Sequence, residues 1–156
     1  MAVTRTLSNE FNLELGKGNI DLSDATAGAF RVILMNDTFT FDRDTHGTYE
    51  DIKADELDTG NGYTKLDKAL VADSAWAQDN ADNKAAVTWE NATWTASGGS
   101  IGPTGAAVVL QYDAGGTETG DDSLIVGCID FGEDITVTDG VSFQLQNMGF
   151  DLTQAA

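Results

Sequence analysis

The strongest constraint in this sequence is a pair of strand-like segments joined by a glycine-rich connector. Residues 93–96 (TWTA) alternate polar and apolar side chains, the period-two pattern of a half-buried strand. Residues 106–110 (AAVVL) are apolar at every position, which predicts a strand covered on both faces. Residues 97–105 contain glycine and proline, which predict a connector with tight backbone turns. We therefore expect this region to form the middle of a β core.

Further strands are predicted on both sides of this centre. Apolar runs predict long strands at residues 30–35 and 123–131. Shorter apolar runs predict strands at residues 69–72 and 85–89. These segments are separated by turn-forming residues, so they predict an antiparallel arrangement of short strands.

The segments between these strands are predicted as turns and loops. Residues 73–84 are rich in Asp and Asn and predict an exposed loop around Trp76. The apolar positions change from odd at Trp89 to even at Trp94, so a turn or bulge is required near Asn91.

A local hairpin is predicted near the end of the chain. Residues 135–137 and 141–145 flank the dipeptide Asp139-Gly140, which is a typical hairpin tip.

Two short helices are predicted in the first part of the chain. Residues 6–15 fit either a helical face or an alternating strand, and the glycines just beyond them favour the helix. Residues 48–51 (TYED) have the spacing of a capping box and predict a helix that runs towards Leu57.

The predicted fold class is mainly β. We expect an antiparallel β-sandwich or jelly-roll-like domain with one or two short helices near its N-terminal side. Residues 1–156 are predicted to form one β-rich domain, in which residues 1–15 are an N-terminal arm or a short helix.

The charge of the chain limits its partners. Eight basic and 26 acidic residues give a formal net charge of −18, which opposes binding to nucleic acid and to anionic membranes. No segment is apolar enough to span a bilayer, and no signal peptide is recognised. The single cysteine, Cys128, excludes an internal disulfide and a thiolate zinc cluster. We expect synthesis in a cytoplasm.

No catalytic residue or cofactor is predicted. Residues 42–47 begin like a calcium loop, but Lys53 occupies the position that requires a bidentate acid. Weak divalent-cation binding by the acidic loops stays open, and the metal ligands are unknown. The loop at residues 98–105 lacks the lysine of a phosphate loop. Cys128 lies in an apolar segment that raises its pKa, and the only histidine, His46, lies in another segment.

The aromatic residues have two interpretations. Trp76, Trp89, Trp94 and Tyr63 would form a sugar-stacking platform if they were exposed together. Trp89 and Trp94 lie in predicted strands, which favours the core for both. Trp76 lies in a predicted loop, which favours contact with a partner.

Several segments together resemble a family of small virion structural proteins of tailed bacteriophages. They are residues 15–22 (LGKGNIDL), 30–35, 44–46 (DTH), 60–64 (GNGYT), 88–89, 93–96 (TWTA), 129–132 (IDFG) and 139–143 (DGVSF). The chain departs from this family at residues 65–68 (KLDK), where two glycines are usual.

This resemblance implies a non-enzymatic capsid decoration or cement protein on the outer head surface of a tailed phage. It implies the major capsid protein as partner and self-association, with a trimer favoured over a dimer. The protein would be made in the host bacterial cytoplasm and located on the virion exterior. The alternatives are a head-fibre, tail or baseplate component, a host-carbohydrate-binding module, and, third, a hydrolase that uses His46.

An interface at the N-terminal segment is also predicted. Docking between acidic surfaces needs an apolar or basic contact, and residues 1–15 carry Arg5, Leu7 and Phe11. Together with Trp76, these are the predicted interface residues. Repulsion between acidic copies predicts that added salt or divalent cations tighten the assembly.

Overall fold

The mainly-β prediction is confirmed by a computed structural model. It describes residues 2–22, 28–112 and 120–153, except for the side chains of residues 74–76. The predicted loop at residues 113–122 lies mostly outside the described residues. The elements are β1 (Thr4–Leu7), α1 (Asn9–Lys17), β2 (Phe30–Asn36), a 3-10 helix (Tyr49–Asp51), β3 (Ala72–Asp79), β4 (Lys84–Trp89), β5 (Ala92–Thr95), β6 (Ile101–Gln111), β7 (Leu124–Val137), β8 (Ser142–Leu145) and β9 (Met148–Thr153).

The described strands form three antiparallel sheets. The largest has the order β1-β7-β6-β2, and the others have the orders β3-β4-β9 and β5-β8. β1 pairs with β7 from Thr4 opposite Asp130 to Leu7 opposite Gly127. β6 and β7 therefore lie in the middle of the largest sheet, as the apolar sequence of β6 predicts, and β2 pairs with β6 at one edge.

The four-stranded sheet is covered on both faces. Successive residues of a strand point to opposite faces, and Val108 and Val109 accordingly belong to two different core clusters. The first cluster joins the sheet to the smaller sheets through side chains that include Trp89, Trp94, Leu145 and Phe150. The second lies against the 3-10 helix and includes Ile33, Met35, Tyr49 and Ile52. The double coverage explains why β6 carries apolar residues on both faces.

The N-terminal segment contains both structures that its sequence allowed. β1 ends at Leu7, and α1 begins at Asn9. Gly18 ends the helix with φ of 79°, a left-handed conformation that glycine adopts readily. The N–H groups of Gly18 and Asn19 donate to the carbonyls of Leu15 and Glu14, over 3.1 and 3.0 Å. The glycine stop predicted from the sequence is confirmed at Gly18.

The prediction of an exposed loop at residues 73–84 is wrong. Residues 72–79 form β3, which turns back into β4, with Asp79 opposite Lys84. β3 pairs on one side only and is an edge strand, a position where polar residues are tolerated because one side faces solvent. The short strand predicted at residues 69–72 is also displaced, since Ala69 forms only an isolated bridge with Arg31.

The prediction of a local hairpin at residues 135–145 is wrong in its pairing. The turn forms, with the Val141 N–H donating to the Thr138 carbonyl over 3.0 Å. Residues 135–137, however, continue β7 and pair with β6, so that Val137 lies opposite Ile101. β8 pairs instead with β5, where the Phe143 and Trp94 rings stack at 6.0 Å. The turn therefore forms without a hairpin, because β8 pairs with β5 rather than with the strand before the turn.

Two predicted boundaries also differ. The connector at residues 97–105 is shorter than predicted, because β6 already begins at Ile101 and includes the cis peptide bond Gly102–Pro103. The helix predicted from residue 48 towards Leu57 is only the 3-10 helix Tyr49–Asp51. The break required near Asn91 is confirmed, since β4 ends at Trp89 and β5 begins at Ala92.

Candidate functional site

A groove lies between the outer edge of β1 and strand β9. It has a volume of about 630 Å³ and is called the arginine groove below. Gly127 of β7 allows this close approach, because a Cβ atom there would lie 2.6 Å from the Thr6 carbonyl oxygen and 2.7 Å from Phe150 Cε1. The residues that line the groove include Arg5, Thr6, Leu7, Arg43, Asn147 and Asp151.

Arg5 and Arg43 provide the positive charge of this groove. Arg5 Nη2 donates to the Asn147 carbonyl over 3.1 Å, and Arg43 Nε donates to Asn9 Oδ1 over 2.9 Å. Both arginines are exposed, and neither forms an ion pair with a carboxylate among the described residues. A guanidinium has five N–H donors, so each arginine keeps donors for a further acceptor.

Arginines without an ion pair are unusual in a chain with 26 acidic residues. Four of the five lysines pair with carboxylates, namely Lys17, Lys53, Lys65 and Lys84. The third arginine, Arg31, lies 3.5 Å from the centre of the Tyr112 ring and donates to the Leu66 carbonyl. Asp151 also lines the groove and shares Lys84 with Asp82. The carboxylate oxygens of Asp151 and Asp82 lie 3.3 and 3.5 Å from Lys84 Nζ, so the charge of Asp151 is partly compensated.

An acidic cleft adjoins the arginine groove. Its volume is about 530 Å³, and it is lined by Asp73, Glu90 and Asn91 together with Trp89 and Met148. Thr88 and Asn147 line both the cleft and the groove. Asp73 and Glu90 are exposed, and neither forms an ion pair within the part of the chain that the structure describes. Unpaired acidic and basic residues therefore lie side by side on one surface.

The structure places two of the four predicted interface residues together. Arg5 and Leu7 both line the arginine groove from β1. Phe11 is only 1% exposed and packs in the core, so it is not on the surface predicted for it. Its ring is buried because α1 packs that face against its own domain. Trp76 lies in β3, but its side chain is outside the described residues, and its partner contact stays a prediction.

Arg43 was not identified from the sequence. The fold brings it to the groove because its carbonyl accepts the Asn9 N–H over 3.1 Å at the start of α1. The scarcity of arginine, three residues in the whole chain, is the one sequence signal that could have drawn attention to it.

The loop that contains His46 has a structural role in this fold. His46 Nδ1 accepts the N–H of Asp42 over 3.1 Å, and its ring stacks on Phe39 at 5.6 Å. The His46 carbonyl accepts the hydroxyl of buried Ser8 over 3.2 Å. A hydrogen bond from the backbone N–H of Asp44 lowers the pKa of the Asp42 carboxyl. These contacts hold the loop against the start of α1.

Cys128 is buried in β7, as its apolar neighbours predict. Burial, with a smaller contribution from the charge of Asp130, raises the pKa of its thiol to about 12. The thiol therefore stays protonated near neutral pH and is a poor nucleophile.

A buried carboxylate was also missed by sequence reasoning. Glu56 is 3% exposed and accepts hydrogen bonds from the Tyr49 hydroxyl, the Tyr63 hydroxyl over 2.7 Å and the Leu66 N–H over 2.9 Å. Burial and the neighbouring Glu56 raise the pKa of both tyrosines, so they remain neutral donors. The network joins the 3-10 helix to the turn at residues 60–63. Its hydroxyl and N–H donors already bind the Glu56 carboxylate.

Three of the four aromatic residues considered for a sugar-stacking platform are buried. Trp89, Trp94 and Tyr63 are 4%, 3% and 2% exposed. The core positions predicted for both tryptophans are confirmed.

A cavity of about 880 Å³ lies beside α1 and is rich in carboxylates. Several of these already have partners in the fold. Asp51 accepts the N–H groups of Gly47 and Thr48, and Glu14 binds Lys17 and Asn19. Within the described ranges, no group of three or more His, Cys, Asp or Glu residues is placed to hold a metal ion. Weak divalent-cation binding by the acidic loops stays a prediction.

Comparisons with known proteins give no relative. No protein-family model, no curated protein and no solved structure matches this chain. None of the helices in the described residues is long and apolar enough to cross a membrane.

Proposed function

We propose that this protein is a non-enzymatic structural protein of a tailed-phage virion. Its place is the outer head surface, where it acts as a decoration or cement protein. Its partners are the major capsid protein and further copies of itself. It is made in the host bacterial cytoplasm.

The observation that carries this proposal is the contact between two segments of the phage-protein resemblance. The GNGYT turn at residues 60–64 packs against the TWTA strand at residues 93–96. A Cβ atom at Gly62 would lie 2.2 Å from the Thr95 carbonyl oxygen, so this turn requires glycine. The Asn61 carbonyl accepts the Ser97 N–H over 3.0 Å. Segments far apart in the sequence thus form one structural unit.

The segment that departs from the resemblance contacts the same strand. Lys68 Nζ donates to the Thr93 carbonyl over 2.7 Å and lies 5.4 Å from the Trp94 ring centre. A residue of the departing segment therefore joins the unit that the GNGYT turn forms with the TWTA strand.

The net charge supports an external location on the head. A formal charge of −18 repels packaged DNA and favours the outside of the shell. The arginine groove offers a basic contact on this acidic molecule. Of the alternatives, a carbohydrate-binding module has less support, because Trp89, Trp94 and Tyr63 are buried.

The experiment that tests the proposal is immunogold electron microscopy of purified particles of the phage that encodes this protein. Antibodies are raised against the purified full chain, and particles treated with pre-immune serum are the control. We expect gold label on the outer head surface. Label confined to the tail or fibres would replace the decoration role with a tail or fibre role. Absence of label on intact particles, together with absence of the protein from their denatured contents, would contradict the virion proposal.

A further inference from the structure

The arginine groove and the acidic cleft form one surface with opposite charges on its two halves. Arg5 and Arg43 lie on one half, and Asp73 and Glu90 lie on the other. Thr88 and Asn147 line both halves, so the boundary passes through them. None of the four charged side chains forms an ion pair with another described residue.

Two exposed apolar residues accompany these charges. Val3, two residues before Arg5, is 49% exposed, and Val71, two residues before Asp73, is 51% exposed. They are two of the four large hydrophobic side chains that are prominently exposed among the described residues. Val3 and Val71 do not line the groove or the cleft, so only their sequence positions next to Arg5 and Asp73 place them at the margins of this surface.

We propose that this surface binds a second copy of the chain around a two-fold axis near Asn147. A two-fold rotation brings the same patch of both copies together, so contacts occur in equivalent pairs. It places the arginine groove of each copy against the acidic cleft of the other. Arg5 and Arg43 then bind the carboxylates of Asp73 and Glu90 across the interface, and the valines contact the partner at its margins.

A second copy of the chain fits this surface because the basic half of one copy is complementary in charge to the acidic half of the other. Two copies that each carry −18 repel at long range, so association needs local pairs of opposite charge. This surface supplies them twice in one symmetric contact. The inference rests on the self-association included in the proposed function, and it selects the dimer from the two states that the resemblance implies.

The test is analytical ultracentrifugation of the full chain at roughly 0.15 M salt, where long-range repulsion is largely screened. Arg5→Glu reverses the charge of the basic half, and Asp73→Lys or Glu90→Lys reverses a charge on the acidic half. We expect the wild type to form a dimer and each single variant to raise the dimer dissociation constant at least about tenfold.

The decisive variants combine Arg5→Glu with Asp73→Lys or with Glu90→Lys. Such a double variant exchanges the two charges, and it restores an attraction only if the two residues contact each other across the interface. We expect at least one double variant to return the dissociation constant to within about threefold of the wild-type value. Lys17→Glu is the matched control for Arg5→Glu, because it makes the same change in net charge on α1, away from this surface, and should leave the dimer intact.

Several outcomes would overturn the inference. They are a wild-type monomer at every protein concentration up to about 0.1 mM, a wild-type trimer, no rescue by either double variant, or equal weakening by Lys17→Glu. If a charge reversal prevents folding, Arg5→Gln and Asp73→Asn replace it and should still weaken the dimer. Antibody labelling of particles does not require a dimer. None of these outcomes therefore contradicts the virion role, which the labelling experiment tests separately.

Discussion

At Gly127, the backbone of β7 meets two neighbours that leave no space for a side chain. One is the Thr6 carbonyl of β1, and the other is the Phe150 ring of β9. The sequence predicts a buried strand here, because the neighbouring residues are apolar. It does not predict the requirement for glycine, because the contacting residues are remote in the chain. Such contacts depend on strand pairing that local patterns do not specify.

Substitution of Gly127 by alanine is expected to destabilise the protein by about 1–3 kcal/mol, because the Cβ atom must displace backbone as well as a ring. Gly16→Ala is the control, since a Cβ atom at that helical position meets nothing within 4 Å. Gly16→Ala should stabilise the protein by roughly 0.5–1 kcal/mol, the usual difference between alanine and glycine in a helix. Urea unfolding measures both, and a Gly127→Ala variant as stable as the wild type would contradict the packing described.

At the scale of elements, buried strands were predicted more accurately from the sequence than exposed ones. The largely buried strands β2, β6 and β7 were predicted because their apolar runs leave few alternatives. β3 was missed, because its polar edge sequence resembles a loop. The pairing of β8 was also missed, because the turn after Val137 is local, whereas the partner strand β5 lies about 50 residues earlier, beyond the reach of turn patterns.

In the candidate site, the sequence predicted only the residues that a local pattern identifies. Arg5 and Leu7 were predicted as interface residues from their own segment. Arg43 and the acidic cleft reach the same surface only through tertiary contacts, so no local pattern predicted them. The predicted capping box at residues 48–51 was local, and it is present in the structure.

That capping box gives a prediction for the 3-10 helix. The Asp51 carboxylate accepts the Gly47 and Thr48 N–H groups over 3.1 and 2.9 Å. Asp51→Ala removes both acceptor contacts and should lower the free energy of unfolding by about 1–2 kcal/mol. The neighbouring Glu50→Ala removes only an exposed contact with Lys53 and should change it by less than about 1 kcal/mol. Thermal and urea unfolding of both variants provide the comparison; equal losses would contradict a specific role for Asp51.

At the scale of the whole molecule, most lysines are committed to local ion pairs while the acidic residues remain in large excess. The chain therefore keeps a strong negative charge. Its unfolding free energy also depends on pH, through groups that are buried in their neutral forms. Cys128, Tyr49 and Tyr63 are such groups, because burial raises the pKa of each. Each favours the folded state while protonated, so its contribution is complete below its unfolded pKa and is lost as the pH rises towards its folded pKa.

The unfolding free energy is therefore expected to fall on the alkaline side. The pKa of Cys128 rises from 9.0 to about 12 on folding, so its contribution is lost between these values. This group alone should lower stability by about 1.4 kcal/mol between pH 8 and pH 10. Urea unfolding across this range should show a flatter profile for Cys128→Ala. The remaining fall above about pH 10 should come from the tyrosines and from Lys17, Lys53 and Lys84, whose pKa values are raised by their hydrogen bonds to carboxylates. Parallel profiles for the two proteins would contradict this assignment.

The pairing of β1 with β7 also has a consequence for biosynthesis. Leu7 lies opposite Gly127, and Thr4 lies opposite Asp130, so β1 cannot join its sheet until a late part of this sequence has been translated. At roughly 5–20 residues per second, translation from residue 7 to residue 130 takes on the order of 6–25 s. During that interval the nascent strand is exposed to the chaperones and proteases of the cell. Its polar residues, Thr4, Arg5 and Thr6, reduce the chance of aggregation before the matching strand leaves the ribosome.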